Sequence, residues 1–264
     1  MSELQGSAEN PDPVDITEDL HVTTDPSPET VLAIAVRRFS EGGFHDTKLE
    51  TIAKESGMSK RMIHYHFGDK KGLYISALAE AVRRLRPTVQ ELELESAVPV
   101  EGVRKVVEAV FKRYNLHPEA VRLLSLESMM NYTNVAEQSP LMDQSAITLQ
   151  LDKLLMLGQD AGAFRPGISA QDVFTLIASL AVFRVTAHKT TINLYNIDML
   201  DDANTRSMAR MAADSVLAFL TSHIRVPEQI SYISTIPDTE SVHVIADHYE
   251  SGEATYNFDT DIFE

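Results

Sequence analysis

Apolar residues recur at helical spacing along most of the chain. The first full stripe is Leu32, Ala35, Val36 and Phe39, at i, i+3, i+4 and i+7. It predicts an amphipathic helix that ends at Gly42-Gly43, where glycine lets the backbone leave the helix. A second stripe follows at once, with Leu49, Ile52 and Ala53 on one side and Lys48 and Lys54 on the other. Thr47, with Glu50 three residues on, has the capping-box spacing that starts a helix, and Gly57 ends it. Ser59 can cap a third helix of about two turns, with Met58, Ile63 and Phe67 on its inward side. At about 100° per residue, Arg61 and Tyr65 then point away from that side, flanked by Lys60 and His64. Two short helices joined by a tight glycine turn therefore present a cationic and aromatic face. Long donors of this kind reach guanine edges and phosphates, and a ring packs on sugars or thymine methyls.

A fourth helix opens at Asp69, a good N-cap. Lys70 and Lys71 in its first turn oppose the helix dipole yet suit a phosphate. It runs through Leu73, Ala77, Leu78 and Ala81 to Pro87, which must bend or end it and so offers a hinge. Beyond Pro99, Val103, Val106, Val107 and Val110 form another stripe. His117-Pro118 and Ser139-Pro140 have the cap-then-proline order of helix starts. Residues 139 to 161 read as one long helix closed by Gly162. Ser169 and Asp172 cap an apolar run through Phe183, and a last helix covers roughly 202 to 223. No segment of this body reads as a sheet, and the expected fold class is all-α.

The run Gly57-Met58-Ser59-Lys60 through Tyr65-His66-Phe67, followed by Asp69-Lys70-Lys71-Gly72-Leu73-Tyr74, resembles the DNA-binding domain of the tetracycline-repressor (TetR) family of transcriptional regulators. His64 departs from it, since the family most often carries a tyrosine there. The resemblance implies an N-terminal helix-turn-helix domain and a larger C-terminal helical bundle for ligand binding and dimerisation. In the later half it is one of architecture and order, with scattered matches such as Phe164-Arg165-Pro166. The expected DNA-binding residues are Thr47, Lys48, Ser59, Lys60, Arg61, His64, Tyr65, His66 and Lys70. The expected organisation is an acidic disordered arm at 1–28, the DNA-binding domain at 29–76, the effector-binding and dimerisation domain at 77–225, and an acidic, mostly disordered tail at 226–264. A short strand around Val242 to Ile245 is possible in that tail.

Charge supports this division. The chain is −16 overall, yet residues 29–90 hold eleven Lys or Arg against seven Asp or Glu, a local +4. Residues 1–28 carry seven acids and residues 226–264 nine, with no Lys or Arg in either, so the two ends account for the whole net charge. With no cysteine, disulfides and thiolate chemistry are excluded. The first residues have no basic region and no apolar run of a signal peptide, and the longest apolar stretch, Val173 to Phe183, falls short of the about 20 residues of a membrane helix. A cytoplasmic protein without a membrane partner is expected.

Catalytic constellations are missing: no phosphate-cradling glycine loop, no G-x-S-x-G elbow, no H-E-x-x-H pair. His64 and His66 diverge by about 200° on a helix and cannot share a metal. Neither an enzyme nor a cofactor is expected. A regulatory pocket fits better, with Phe111, Tyr114, Glu127, Met130, Asn131 and Arg184 as effector-binding candidates. The resulting expectation is a homodimeric regulator, a repressor that a small apolar or aromatic effector releases from an inverted-repeat operator in double-stranded DNA. The alternatives are a helical partner-binding scaffold and a ligand-independent regulator whose C-terminal domain only dimerises.

Overall fold

The computed structural model describes residues 26–92, 98–134, 146–223 and 231–233. Their regular structure is helical: α1 Pro28–Asp46, α2 Leu49–Ser56, α3 Lys60–Phe67, α4 Lys70–Leu85, α5 Val89–Leu92, α6 Pro99–Leu116, α7 Pro118–Met130, α8 Ala146–Asp160, α9 Ala170–Thr186, α10 His188–Tyr195 and α11 Asp202–Thr221. The expected acidic arm through residue 25, the Ser139-Pro140 helix start, and the tail beyond residue 233 with its candidate strand lie outside the described residues.

Ser27 caps α1, its hydroxyl accepting from the Thr30 amide at 3.2 Å, and Pro28 follows at the first helical position. The helix breaks where glycine predicted it: Gly43 sits at φ 67°, ψ −176°, before a last turn through Asp46. That break changes the role of Thr47. The expected capping box with Glu50 does not form, because the residue ahead of α2 is Lys48, which makes no side-chain cap. The Thr47 hydroxyl instead lies 2.8 Å from the Gly43 carbonyl and 3.1 Å from that of Arg38, closing the end of α1 onto the start of α2.

Val31, Ala35, Val36 and Phe39 of α1 meet Ile52 of α2, Ile63 of α3, and Leu73, Tyr74, Ala77 and Leu78 of α4 in one buried core. α4 ends at Leu85, with Arg86 extended at φ −75°, ψ 122°, as a residue preceding proline prefers. The boundary expected at 76/77 therefore falls inside an unbroken helix. α7 packs against both α1 and α4, so the regulatory part holds the first four helices along a broad front.

In the larger part, α6 lies against α8, α9 and α11. α9 carries the predicted cap: the Ser169 hydroxyl accepts from the Asp172 amide at 3.1 Å and the Asp172 carboxylate from the Ser169 amide at 2.9 Å. α10 was not foreseen, and it departs from α9 at 67°. Its eight residues leave one buried side chain, Thr191, which is too faint a stripe to read from sequence. The same Asp172 carboxylate accepts from the Tyr232 amide at 3.1 Å and the Ile233 amide at 2.9 Å, fastening the segment after α11 to the start of α9.

Candidate nucleic-acid interface and effector groove

Packing sets the direction of α3. Ile63 and Met58 are buried and Phe67 half-buried against the core, so the opposite side must face out. Gly57 makes the turn at φ 67°, ψ 0°, and the Ser59 hydroxyl accepts from the Met62 amide at 3.3 Å to start the helix. At the far end α4 departs so closely that a Cβ on Gly72 would stand 2.0 Å from the Phe67 carbonyl oxygen. The Asp69 carboxylate accepts from the Gly72 amide at 2.7 Å, the predicted cap.

The exposed side of α3 holds Arg61, His64, Tyr65 and His66, with Tyr65 79% exposed and its ring 5.2 Å from that of His66. An exposed tyrosine of this size on a short helix does nothing for the core. Lys48 is exposed beside them at the start of α2. His64 donates from Nδ1 to the Gly68 carbonyl across 2.6 Å, which leaves Nε2 as the ring nitrogen free to reach outward.

Three expected contacts are not free cations or hydroxyls. Lys60 lies 2.6 Å from the Glu50 carboxylate, and that hydrogen bond, before any other cause, holds the Glu50 carboxyl below its ordinary range. Lys70 is half-buried, donating to the His45 carbonyl at 2.9 Å and lying 5.0 Å above the Phe44 ring. Thr47 is buried with its hydroxyl engaged as described, so it builds the scaffold and does not face outward. Arg37 and Arg38 of α1 are both paired with Glu55, and the Arg38 hydrogen bond lowers that carboxyl. The local excess of positive charge is therefore carried outward chiefly by Lys48, Lys54, Arg61 and Lys71.

A groove of about 460 Å³ opens between the end of α4, α6, α7 and α9, lined by Leu85, Tyr114, Val121, Leu124, Ser125, Ser128, Met129, Val182 and Thr186. Its two serines are spent on α7 itself, Ser125 donating to the Val121 carbonyl at 2.8 Å and Ser128 to that of Leu124 at 2.9 Å. Tyr114 is different. Burial pushes its phenol up to about 12, and among the described residues its hydroxyl has no hydrogen-bond partner. The groove thus offers apolar walls and one unspent polar handle.

Of the six effector-binding candidates, only Tyr114 lines this groove. Phe111 is buried in the α6 core. Glu127 faces α4, accepting from the Tyr74 hydroxyl at 3.1 Å, and from the Thr133 amide at 3.0 Å and hydroxyl at 2.8 Å. Met130 is exposed at the end of α7, and Asn131 caps that helix at φ 49°. Arg184 is fully buried at the other side of α9, with Nη2 near the Asn115 side chain, the Met199 carbonyl and the Thr205 hydroxyl. Its burial lowers its affinity for a proton. The sequence held a better signal, since Val121, Leu124, Ser125 and Ser128 stand at i, i+3, i+4 and i+7. That second stripe was overlooked because two of its members are serines, which turn their hydroxyls back onto the helix.

Among the described residues no cluster of His, Asp or Glu is placed to hold a metal ion, and no single helix is long and apolar enough to cross a membrane.

Comparison with known proteins agrees with this geometry. Residues 31–77 match the profile of the bacterial regulatory proteins of the tetR family, and residues 99–216 that of the tetracyclin repressor-like C-terminal domain, together more than half of the chain. The HTH-type transcriptional repressor NicS of Pseudomonas putida is 29% identical over 174 residues, covering 66% of this chain and 82% of that protein. The HTH-type transcriptional regulator YerO of Bacillus subtilis is 24% identical over 202 residues, 72% of this chain and 68% of that one. Among solved structures, a linker-substituted mutant of HlyIIR superposes with a TM-score of 0.52 at 20% identity, covering 75% of this chain and 97% of the other. The Streptomyces coelicolor protein SCO4942 superposes with a TM-score of 0.51 at 21% identity, covering 73% and 97%. These two structures share the fold. With both of its domains matched in order, the chain belongs to the TetR family and is a DNA-binding transcriptional regulator, not an enzyme.

Proposed function

We propose that the protein is a homodimeric repressor that leaves an inverted-repeat operator when a small, largely apolar effector enters the groove between α4, α6, α7 and α9. The observation that carries this reading is the pairing of an exposed Arg61–Tyr65 face on α3 with an apolar groove whose Tyr114 hydroxyl lacks a partner among the described residues. Arg61 and Tyr65 contact bases, while Lys48 and Lys71 contact phosphates. Tyr114 donates to an oxygen or nitrogen of an otherwise apolar ligand. NicS, a relative that is named a repressor, favours that sign of regulation. Phe183 on α9 and Met211 on α11, about half exposed at 49% and 50%, favour a partner subunit over these two helices. A two-fold dimer then requires a two-fold operator.

The test is selection of bound fragments from the organism's own DNA, followed by footprinting and titration at several salt concentrations. Two symmetric half-sites and a steep loss of affinity with salt are expected. A single unrepeated site protected by a monomer would overturn the dimeric reading.

A further inference from the structure

Two sides of α7 do different things. Val121, Leu124, Ser125, Ser128 and Met129 line the groove, whereas Ala120, Leu123 and Glu127 are buried on the side toward α1 and α4. α7 therefore stands between most of the groove and the DNA-binding helices, which reach the groove themselves at Leu85, the end of α4. α7 ends at Asn131, and the next residue crosses over: the Tyr132 ring lies 5.9 Å from Phe44, 5.1 Å from His45 and 6.1 Å from Tyr74. Its hydroxyl stands 3.0 Å from where a Cβ on Gly43 would be, so the kink of α1 is shaped around it.

Both neighbours of this contact are fixed. On one side Glu127 accepts from Thr133 and from Tyr74, holding the loop after α7 against α4. On the other, His45 and Phe44 hold the Lys70 ammonium, at the corner where α3 passes into α4. The links run from the groove wall through Glu127 and Tyr132 to the end of α1 and the start of α4, without passing through Pro87.

We propose that Tyr132, seated by Glu127, is the positioning residue through which α7 sets the orientation of the DNA-binding helices, so that an occupied groove acts on DNA binding through this contact and not through bending at Pro87. The effector half of the statement rests on the groove proposed above; the positioning half does not. An interdigitated aromatic cluster suits the task because packed contacts of this kind have discrete arrangements and do not deform smoothly.

The chain has no cysteine, so two labels can be introduced cleanly. Thr51→Cys on α2 and Asp152→Cys on α8 are both exposed and lie outside the groove and the α3 face. Spin labels at these sites, in labelled chains diluted with unlabelled ones, report the distance between the DNA-binding helices and the regulatory part within one chain. The wild type should give a narrow distribution, Tyr132→Ala a shifted and broadened one, and Tyr132→Phe the narrow one again, because the ring makes the contact. Should Tyr132→Ala fail to fold, Tyr132→Leu carries the same test. Pro87→Ala should leave the distribution narrow. Operator affinity of Tyr132→Ala should fall roughly tenfold against Tyr132→Phe, as fewer molecules hold the competent orientation. An unchanged distribution in Tyr132→Ala, or a broadening caused by Pro87→Ala alone, would overturn the proposal. Failure of the wild type to bind DNA would remove the function proposed above and leave the distance result standing, since that result needs neither DNA nor effector.

Discussion

The Tyr74 hydroxyl donates to the Glu127 carboxylate across 3.1 Å, joining the second turn of α4 to the last turn of α7 inside the protein. Burial above all, and then the charge of Glu127, raises the ionisation of Tyr74 far beyond its ordinary range, so the phenol remains a donor at any working pH. The carboxylate is buried as well, and its stability there depends on Tyr74 and Thr133 as donors. Tyr74→Phe keeps the ring against Phe39 and Phe44 and leaves one carboxylate oxygen short of its partner. It should lower unfolding free energy by about 1 to 3 kcal/mol in a urea titration. A Tyr74→Phe protein as stable as the wild type would mean that water replaces the hydroxyl.

On the outward face the expectation is the reverse. Tyr65, 79% exposed, and Arg61, exposed beside it, contribute little packing. Tyr65→Ala or Arg61→Ala should cost about 1 to 3 kcal/mol of operator binding per lost base contact. Melting temperature should stay within the range of ordinary surface substitutions. Lys71→Ala should weaken operator and random DNA alike. Lys70→Ala should also lower stability, because its ammonium is held by His45 and Phe44. Gel shifts on operator and scrambled DNA, beside thermal melts, separate these outcomes.

The DNA-binding part was legible because its signals are local. Ser59 and Asp69 cap the helices they were expected to cap, and Ile63 with Phe67 sets the face of α3 within a single turn. Thr47 misled because the way α1 ends is a backbone feature that no side-chain pattern shows. The carbonyls of Arg38 and Gly43 reach it only because α1 kinks, and they take the hydroxyl that a capping box would use. The groove was hidden for a different reason. Glu127 and Arg184 read as polar residues among apolar ones, and which side of its helix each occupies depends on α4 and α11, far away in sequence. Large side chains at helical spacing show that a helix is packed, and leave open against what.

Glu91 gives the fold a calculable response to acid. Burial raises its pKa, but the Thr88 amide at 2.9 Å and the side chains of Arg113 and Lys112 outweigh that effect and hold it at about 2. A carboxyl depressed in the folded state contributes stability that is fully present above its unfolded value near 4.3, and that is lost as pH falls from there toward 2. The contact fastens α5 to the last turn of α6. Glu91→Gln should therefore destabilise at pH 7, with the difference from wild type shrinking between about pH 4.5 and 2. Melting curves across that interval check it, and a gap that is constant with pH would assign the effect of the substitution to shape and not to charge.

The last expectation concerns the acidic arm, whose residues 1–25 lie outside the described structure but whose point of attachment does not. The first described residue, Pro26, lies against the helix-turn-helix turn, its Cγ 3.5 Å from where a Cβ on Gly57 would be. The seven acids of residues 1–25, with no Lys or Arg among them, join the chain at this point, next to the turn between α2 and α3. Charge of that sign, held there, competes with phosphate. It should weaken nonspecific binding most, because that binding is almost wholly electrostatic, whereas base contacts keep the operator complex together. Removal of residues 1–25 should tighten binding to random DNA more than to the operator at low salt. The difference should fade as the screening length shrinks from about 30 Å at 0.01 M to about 8 Å at 0.15 M. Equal affinities of truncated and full-length protein at low salt would show that the arm does not compete with phosphate; an equal gain on both DNAs would show that it does so without sharpening selectivity.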